Sequence, residues 1–165
     1  MTDITIRVAD ARDSDACVDV YREAWRGMTF VPQDLHSPAE DRAWMQDVFA
    51  RQLVLVAEAD GIVSTSHAGA AGGTHLVGLL SMGGGTIHNL YIRPGYQGRG
   101  IGHRLMEMAK TCSGGELRLW VFEPNKSAIR FYERHGFVTV RKTDGSDNEE
   151  KVPDRLMAWR SPESS

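Results

Sequence analysis

Three glycines at alternate positions, Gly98, Gly100 and Gly102, follow an apolar run over residues 87–92 and open a helical pattern that starts near Ile101. A strand, a glycine-rich turn and a helix start together make an anion cradle. The first amides of a helix lack carbonyl partners within it and sit at the positive end of the peptide dipoles, and glycine lets a phosphate approach them closely. The stretch Gln97-Gly98-Arg99-Gly100-Ile101-Gly102 therefore predicts a site for a phosphorylated cofactor. Two common phosphate signatures fail on these residues. The nucleotide-hydrolase loop needs Gly-x-x-x-x-Gly-Lys-Ser/Thr, whereas Gly102 is followed by His103 and Arg104. The dinucleotide fingerprint Gly-x-Gly-x-x-Gly needs a wider second interval than Gly100 to Gly102 provides.

The residues do match a Gln/Arg-x-x-Gly-x-Gly/Ala signature, read as Gln97-x-x-Gly100-x-Gly102, and on this ground the chain resembles the GCN5-related N-acetyltransferases (GNAT). The resemblance runs upstream through Leu90-Tyr91-Ile92-Arg93-Pro94-Gly95-Tyr96, similar to the family's fourth strand and its turn into the pyrophosphate loop. Downstream, Leu117-Arg118-Leu119-Trp120-Val121 is similar to the fifth strand, and residues 125–137, with Ala128, Phe131, Tyr132 and Gly136, to the next helix and its exit. The resemblance implies an α/β (α+β) fold: a mixed, mostly antiparallel central sheet of six or seven strands, four flanking helices, and a splayed fourth and fifth strand pair. It implies acetyl-CoA as cosubstrate and no metal. The backbone of Leu90, Tyr91 and Ile92 would meet the pantetheine arm with Asn125 and Ala128. Gln97, Gly98, Arg99, Gly100, Ile101, Gly102 and His103 would meet the pyrophosphate, with Arg99 and Arg104 adding charge.

Moving an acetyl group from a thioester to an amine needs a neutral nitrogen, a polarised carbonyl and a proton source for the departing thiolate. A lysine-like amine, with a pKa of about 10.4, is mostly protonated at neutral pH, so a base must take its proton. Histidines stand at positions 36, 67, 75, 88, 103 and 135, and only His88 lies on the strand that would pass the thioester. Two residues before Leu90, it is expected on the same strand face, and it resembles in register a catalytic histidine of the serotonin-acetylating members. A hydrogen-bonded core histidine is the other reading. Glu23, Glu58, Glu123 or a water relay could serve instead; many members carry a glutamate five residues before the asparagine, where this chain has Trp120. Tyr132, seven residues after Asn125, matches the family's proton donor to the thiolate, its alternative being a packed aromatic. Phe131 is expected in the core.

The elements that must position these groups follow from periodicity. Ile4, Ile6 and Val8 alternate as a half-buried strand, and residues 10–13 supply turn and capping chemistry. Cys17, Val20, Tyr21 and Ala24 form a helical stripe ending near Trp25 or Gly27. Ser37-Pro38-Ala39-Glu40 is a capping box before the stripe of Met45, Val48 and Phe49. Strands are expected at 53–57, 77–82, 86–92, 117–121, 137–140 and 156–159, with a glycine turn at 83–85. Ile101, Leu105, Met108 and Cys112 mark a buried stripe stopped by Gly114-Gly115, and Ala128, Ile129 and Tyr132 mark another behind an Asn125 cap. Residues 61–75 and 144–151 read as connections, the second exposed, and the tail after 161 as frayed. Cys17 and Cys112 read as small buried hydrophobes.

At 165 residues the chain is expected to be one domain over 1–165, large enough to bury a core without disulfides or metal. Nineteen basic against 22 acidic residues give a net charge of −3, which generates no field toward nucleic acid or an anionic membrane and mildly favours a cationic amine. The amino terminus lacks signal-peptide character and no apolar run reaches the ~20 residues that span a bilayer, so a cytoplasmic protein is expected. Function is read as an acetyl-CoA-dependent N-acetyltransferase that attacks directly in a ternary complex; a non-catalytic acyl-CoA-binding module of the same fold is the alternative. The acceptor, a small-molecule or peptide amine, stays open, as does a homodimer. Trp25, Met28, Phe30 and His36 are the expected acceptor contacts, because the family shapes its acceptor pocket from this region.

Overall fold

The structure, a computed structural model, describes residues 3–60 and 75–162. Seven strands form one sheet: β1 (Ile4–Val8), β2 (Leu53–Ala59), β3 (His75–Gly83), β4 (Thr86–Ile92), β5 (Glu116–Phe122), β6 (Val138–Thr143) and β7 (Asp154–Arg160). Four helices, α1 (Ser14–Arg26), α2 (Pro38–Arg51), α3 (Ile101–Cys112) and α4 (Lys126–Arg134), flank it. The spatial order is β1-β2-β3-β4-β5-β7-β6, antiparallel throughout except at β4 and β5. The expected mixed sheet is therefore present. Most of the connection predicted at 61–75 lies outside the described residues, as does the tail from 163.

β2 and β3 are apolar on both faces because helices cover both. Leu55, Ala57 and Leu80 join one core with Ile101, Leu105 and Met106 of α3 and Tyr132 of α4. Val54, Val56 and Leu79 join a second core with Cys17 and Val20 of α1 and Met45 of α2. Leu79 and Leu80 point to opposite sides of β3 and are both fully buried, each contributing about 1.5–3 kcal/mol by removal from water. α2 starts where its capping box predicts: Ser37 Oγ accepts from Glu40 N–H at 3.1 Å, and a Glu40 carboxylate oxygen accepts from Ser37 N–H at 3.1 Å.

One stripe is rotated from expectation. α3 buries Ile101, Leu105, Met106 and Ala109, leaving Met108 and Cys112 exposed, so Cys112 is not a buried hydrophobe. Apolar residues stand at both three- and four-residue intervals along α3, and packing against the sheet chose the second set. Phe131, expected in the core, packs against it from a partly buried position, with Gly102 of α3 beside its ring. β2, β3, β5, β6 and β7 each extend past their predicted limits, because pairing with a neighbour continues beyond the apolar run that marks each strand.

Candidate active site

β4 and β5 pair over only two positions, Thr86 opposite Arg118 and Ile87 opposite Leu119. Beyond these the strands part, leaving the backbone of residues 88–92 without a partner on the β5 side. A narrow seam of about 80 Å³ opens there, lined by His88, Leu90, Tyr91, Leu119, Asn125 and Tyr132 among others. Within β4, Ser81 of β3 stands opposite Asn89 while Met82 stands opposite Ile87, so His88 is the extra residue of a β-bulge. The bulge breaks the alternation. Ile87 and Leu90 both face the core under α3, and His88 is exposed and lines the cavity beside Asn89. His88 therefore does not share a face with Leu90, contrary to the expectation from spacing alone.

At the end of the seam, residues 93–100 lead into α3. Gly98 and Gly100 adopt φ of +75° and +80°, a left-handed backbone that L side chains rarely adopt, and a Cβ on either would project into open space. Gly100 is the N-cap of α3 and has no side-chain capping bond. Its carbonyl accepts from Arg104 N–H at 3.1 Å, so the amides of Ile101, Gly102 and His103 precede the first intrahelical bond. Gly102 has a different reason to be glycine: a Cβ there would lie 3.3 Å from the Phe131 ring. The Gln97 side chain donates to Ile92 O at 3.3 Å, and the Arg99 guanidinium lies 5.2 Å from the Tyr96 ring centroid.

Tyr132 enters the seam from α4, packed edge-on against Phe131 with centroids 5.4 Å apart. Burial pushes its phenol up to about 12, so the hydroxyl is protonated at any physiological pH. Asn125 caps α4 through its side-chain oxygen, which accepts from Ala128 N–H at 3.3 Å. On the other side, the seam continues into a cavity of about 480 Å³ between α1, α2 and the β6–β7 loop. Its walls are aromatic, with Tyr21 5.6 Å from Trp25, 5.0 Å from Trp44 and 5.2 Å from Tyr91 between ring centroids. Its lining also carries the carboxylates of Glu40, Asp41, Glu149, Glu150 and Asp154.

A family model of the GNAT acetyltransferase domain matches residues 50–139, more than half of the chain. The chain is also 31% identical over 140 residues to an N-acetyltransferase of Archaeoglobus fulgidus, covering 77% of this chain and 88% of that one. This chain belongs to the GNAT acetyltransferases. It is 29% identical over 146 residues to the L-methionine sulfoximine/L-methionine sulfone acetyltransferase of Salmonella typhimurium, covering 83% and 81% of the two chains. Its fold matches that of Salmonella typhimurium YncA, solved with its cofactor acetyl-CoA, with a TM-score of 0.69 over 96% of this chain and 94% of that one at 20% identity.

Among GNAT acetyltransferases this chain's carboxylate candidates for a base are spoken for. Glu23 pairs with Arg93, Glu58 with Arg7 at 3.2 Å, and Glu123 with Arg155 at 2.7 Å, where hydrogen bonds from the guanidinium hold the Glu123 carboxyl below its usual range. None of the three lines the seam or the large cavity. Arg104 is turned away from the cradle, donating to Ile4 O at 2.7 Å, and the His103 ring lies 5.1 Å from that of His135. Of the expected acceptor contacts, Trp25, Met28 and His36 line the two spaces; Phe30 stands behind them, 6.1 Å from Phe122 between centroids. The region predicted as an exposed loop at 144–151 is a mostly exposed loop, and it also brings Glu149 and Glu150 to the rim of the cavity, held by Asn148, whose side chain donates to Val152 O at 2.7 Å. Tyr21, Trp44 and Asn89 were not foreseen either. Their helical and strand spacings are those of ordinary packing residues, so periodicity carries no signal for them. No helix among the described residues is long and apolar enough to cross a membrane.

Proposed function

We propose that this acetyltransferase transfers the acetyl group of acetyl-CoA to a primary amine by direct attack in a ternary complex. The observation that carries the reading is the β4/β5 seam, open between an uncapped helix start at one end and a buried tyrosine in its wall. The residues fit the cosubstrate. The amides of Ile101, Gly102 and His103 offer unpaired donors to a diphosphate, Gly98 and Gly100 leave room for it, and the free strand edge of residues 88–92 offers peptide groups to a pantetheine arm. Acetyl-CoA supplies an activated thioester. His88, at the junction of seam and cavity, takes the proton that the attacking amine sheds, directly or through water. A carbon–nitrogen bond forms, the carbon–sulfur bond breaks, and Tyr132 donates its proton to the departing thiolate. A phenol raised to about 12 is a weak acid, so this donation depends on placement beside the sulfur rather than on acidity.

The test is a thiol-release assay with acetyl-CoA against a panel of amines. Tyr132→Phe should lower kcat about 100-fold while the Kd for coenzyme A stays within about twofold, because the hydroxyl acts as the thiolate leaves. His88→Ala should lower kcat/KM with an altered pH profile. Retained turnover in Tyr132→Phe removes its role as acid. Coenzyme A binding without turnover on any amine replaces the enzyme with a binding module of the same fold.

A further inference from the structure

We infer that the acceptor is an amine carrying a second positive charge and no carboxylate, with its reactive nitrogen at the seam and its second cation among the carboxylates that line the large cavity. This rests on the transfer reaction proposed above and names the acceptor of that same site. The seam and the cavity share seven lining residues, His88, Asn89, Tyr91 and Trp120 among them, which form the neck where an acceptor nitrogen would meet a thioester. Asn89 is only 9% exposed; its amide nitrogen donates to Ser81 Oγ at 2.8 Å, and its carbonyl oxygen has no partner among the described residues. An unpartnered oxygen in the neck accepts from an N–H and repels a carboxylate.

Tyr21 and Trp44 both line the cavity, their ring centroids 5.0 Å apart, and aromatic rings attract a cation that reaches their faces. Five carboxylates line it as well. Asp41 is paired with Arg22, and Glu40 and Glu149 share His36 at 3.4 and 2.5 Å. Asp154 is held only by the neutral side chains of Thr143 and Asn148, and Glu150 has no hydrogen bond or ion pair among the described residues. Among the described residues no lysine or arginine lines the cavity, so its formal charge is negative and it lacks a fixed cation to pair with the carboxylate of a free amino acid. The acceptor class thus departs from the methionine derivatives in the name of the Salmonella relative.

The experiment compares, with acetyl-CoA present, diaminoalkanes of graded spacing, alkylamines of matched length and the corresponding aminoalkanoates. Turnover is read by thiol release, and binding by the fluorescence of the tryptophans that line the cavity. At the best spacing the diamine should exceed the alkylamine about tenfold in kcat/KM, with the aminoalkanoate lowest. Glu150→Gln, and Glu149→Gln as a second variant, should remove most of that advantage and leave the alkylamine nearly unchanged. The inference is overturned if the aminoalkanoate or alkylamine equals the diamine at every spacing, or if the glutamine variants lower all acceptors alike. Diamine binding that depends on Glu150 but without turnover would sink the transfer reaction and keep the cavity assignment. Absence of such binding sinks the assignment itself.

Discussion

Tyr132 shows how a residue's surroundings set its chemistry. Its phenol lies at about 12 in the folded chain, against about 10 for an exposed tyrosine, because burial disfavours the phenolate. The folded state therefore holds this proton more tightly than the unfolded state does, and Tyr132's contribution is complete below pH ~10 and lost as pH rises toward about 12. Tyr132→Phe should flatten the alkaline fall in melting temperature over that window; an unchanged curve would mean that the phenol is better solvated than its burial implies. His88 was legible as a residue of the strand beside the seam but not in its orientation, because one extra residue in β4 turned it out of register. The ion pairs of Glu23, Glu58 and Glu123 join residues 70, 51 and 32 positions apart, separations over which sequence spacing carries no information.

At the scale of elements, the glycines of the turn into α3 separate two physical demands that the sequence presents as one motif. Gly100→Val places a β-branched residue at φ +80°, a conformation that costs roughly 1–2 kcal/mol and fills the space in front of the first amides. Titration calorimetry should show coenzyme A affinity falling more than tenfold. Gly102→Ala leaves the backbone unstrained but crowds Phe131, so it should lower stability by about 1 kcal/mol in urea unfolding, with a much smaller change in affinity. Equal affinity losses in the two variants would mean that α3 as a whole had shifted. The capping box at Ser37, the Asn125 cap and the alternation of β5, which buries Leu117, Leu119 and Val121 and exposes Trp120, were all readable locally. The buried face of α3 was not, since the sheet chose between two apolar stripes.

Across the whole molecule, His36 joins the start of α2 to the β6–β7 loop through Glu40 and Glu149, 113 positions away in the chain. Its imidazole is held above its usual 6.5, chiefly by Glu149 and then by Glu40. A raised folded pKa makes this bridge complete below about pH 6.5 and progressively lost as pH rises through the folded value. Amide exchange in residues 144–151 should accelerate with rising pH beyond the intrinsic rate in the native chain and lose that extra dependence in His36→Ala. The sequence alone carried the glycine turn, the strand and helix that flank it and the tyrosine of the seam, each written in residues a few positions apart, while the resemblance to the family supplied a mixed sheet of six or seven strands. Only the tertiary structure decided the large cavity: Tyr21, Trp44, Asn89, Glu149 and Glu150 come from four separate segments of the chain, and they line one space because the sheet opens between β4 and β5 and the distant loop reaches the same side.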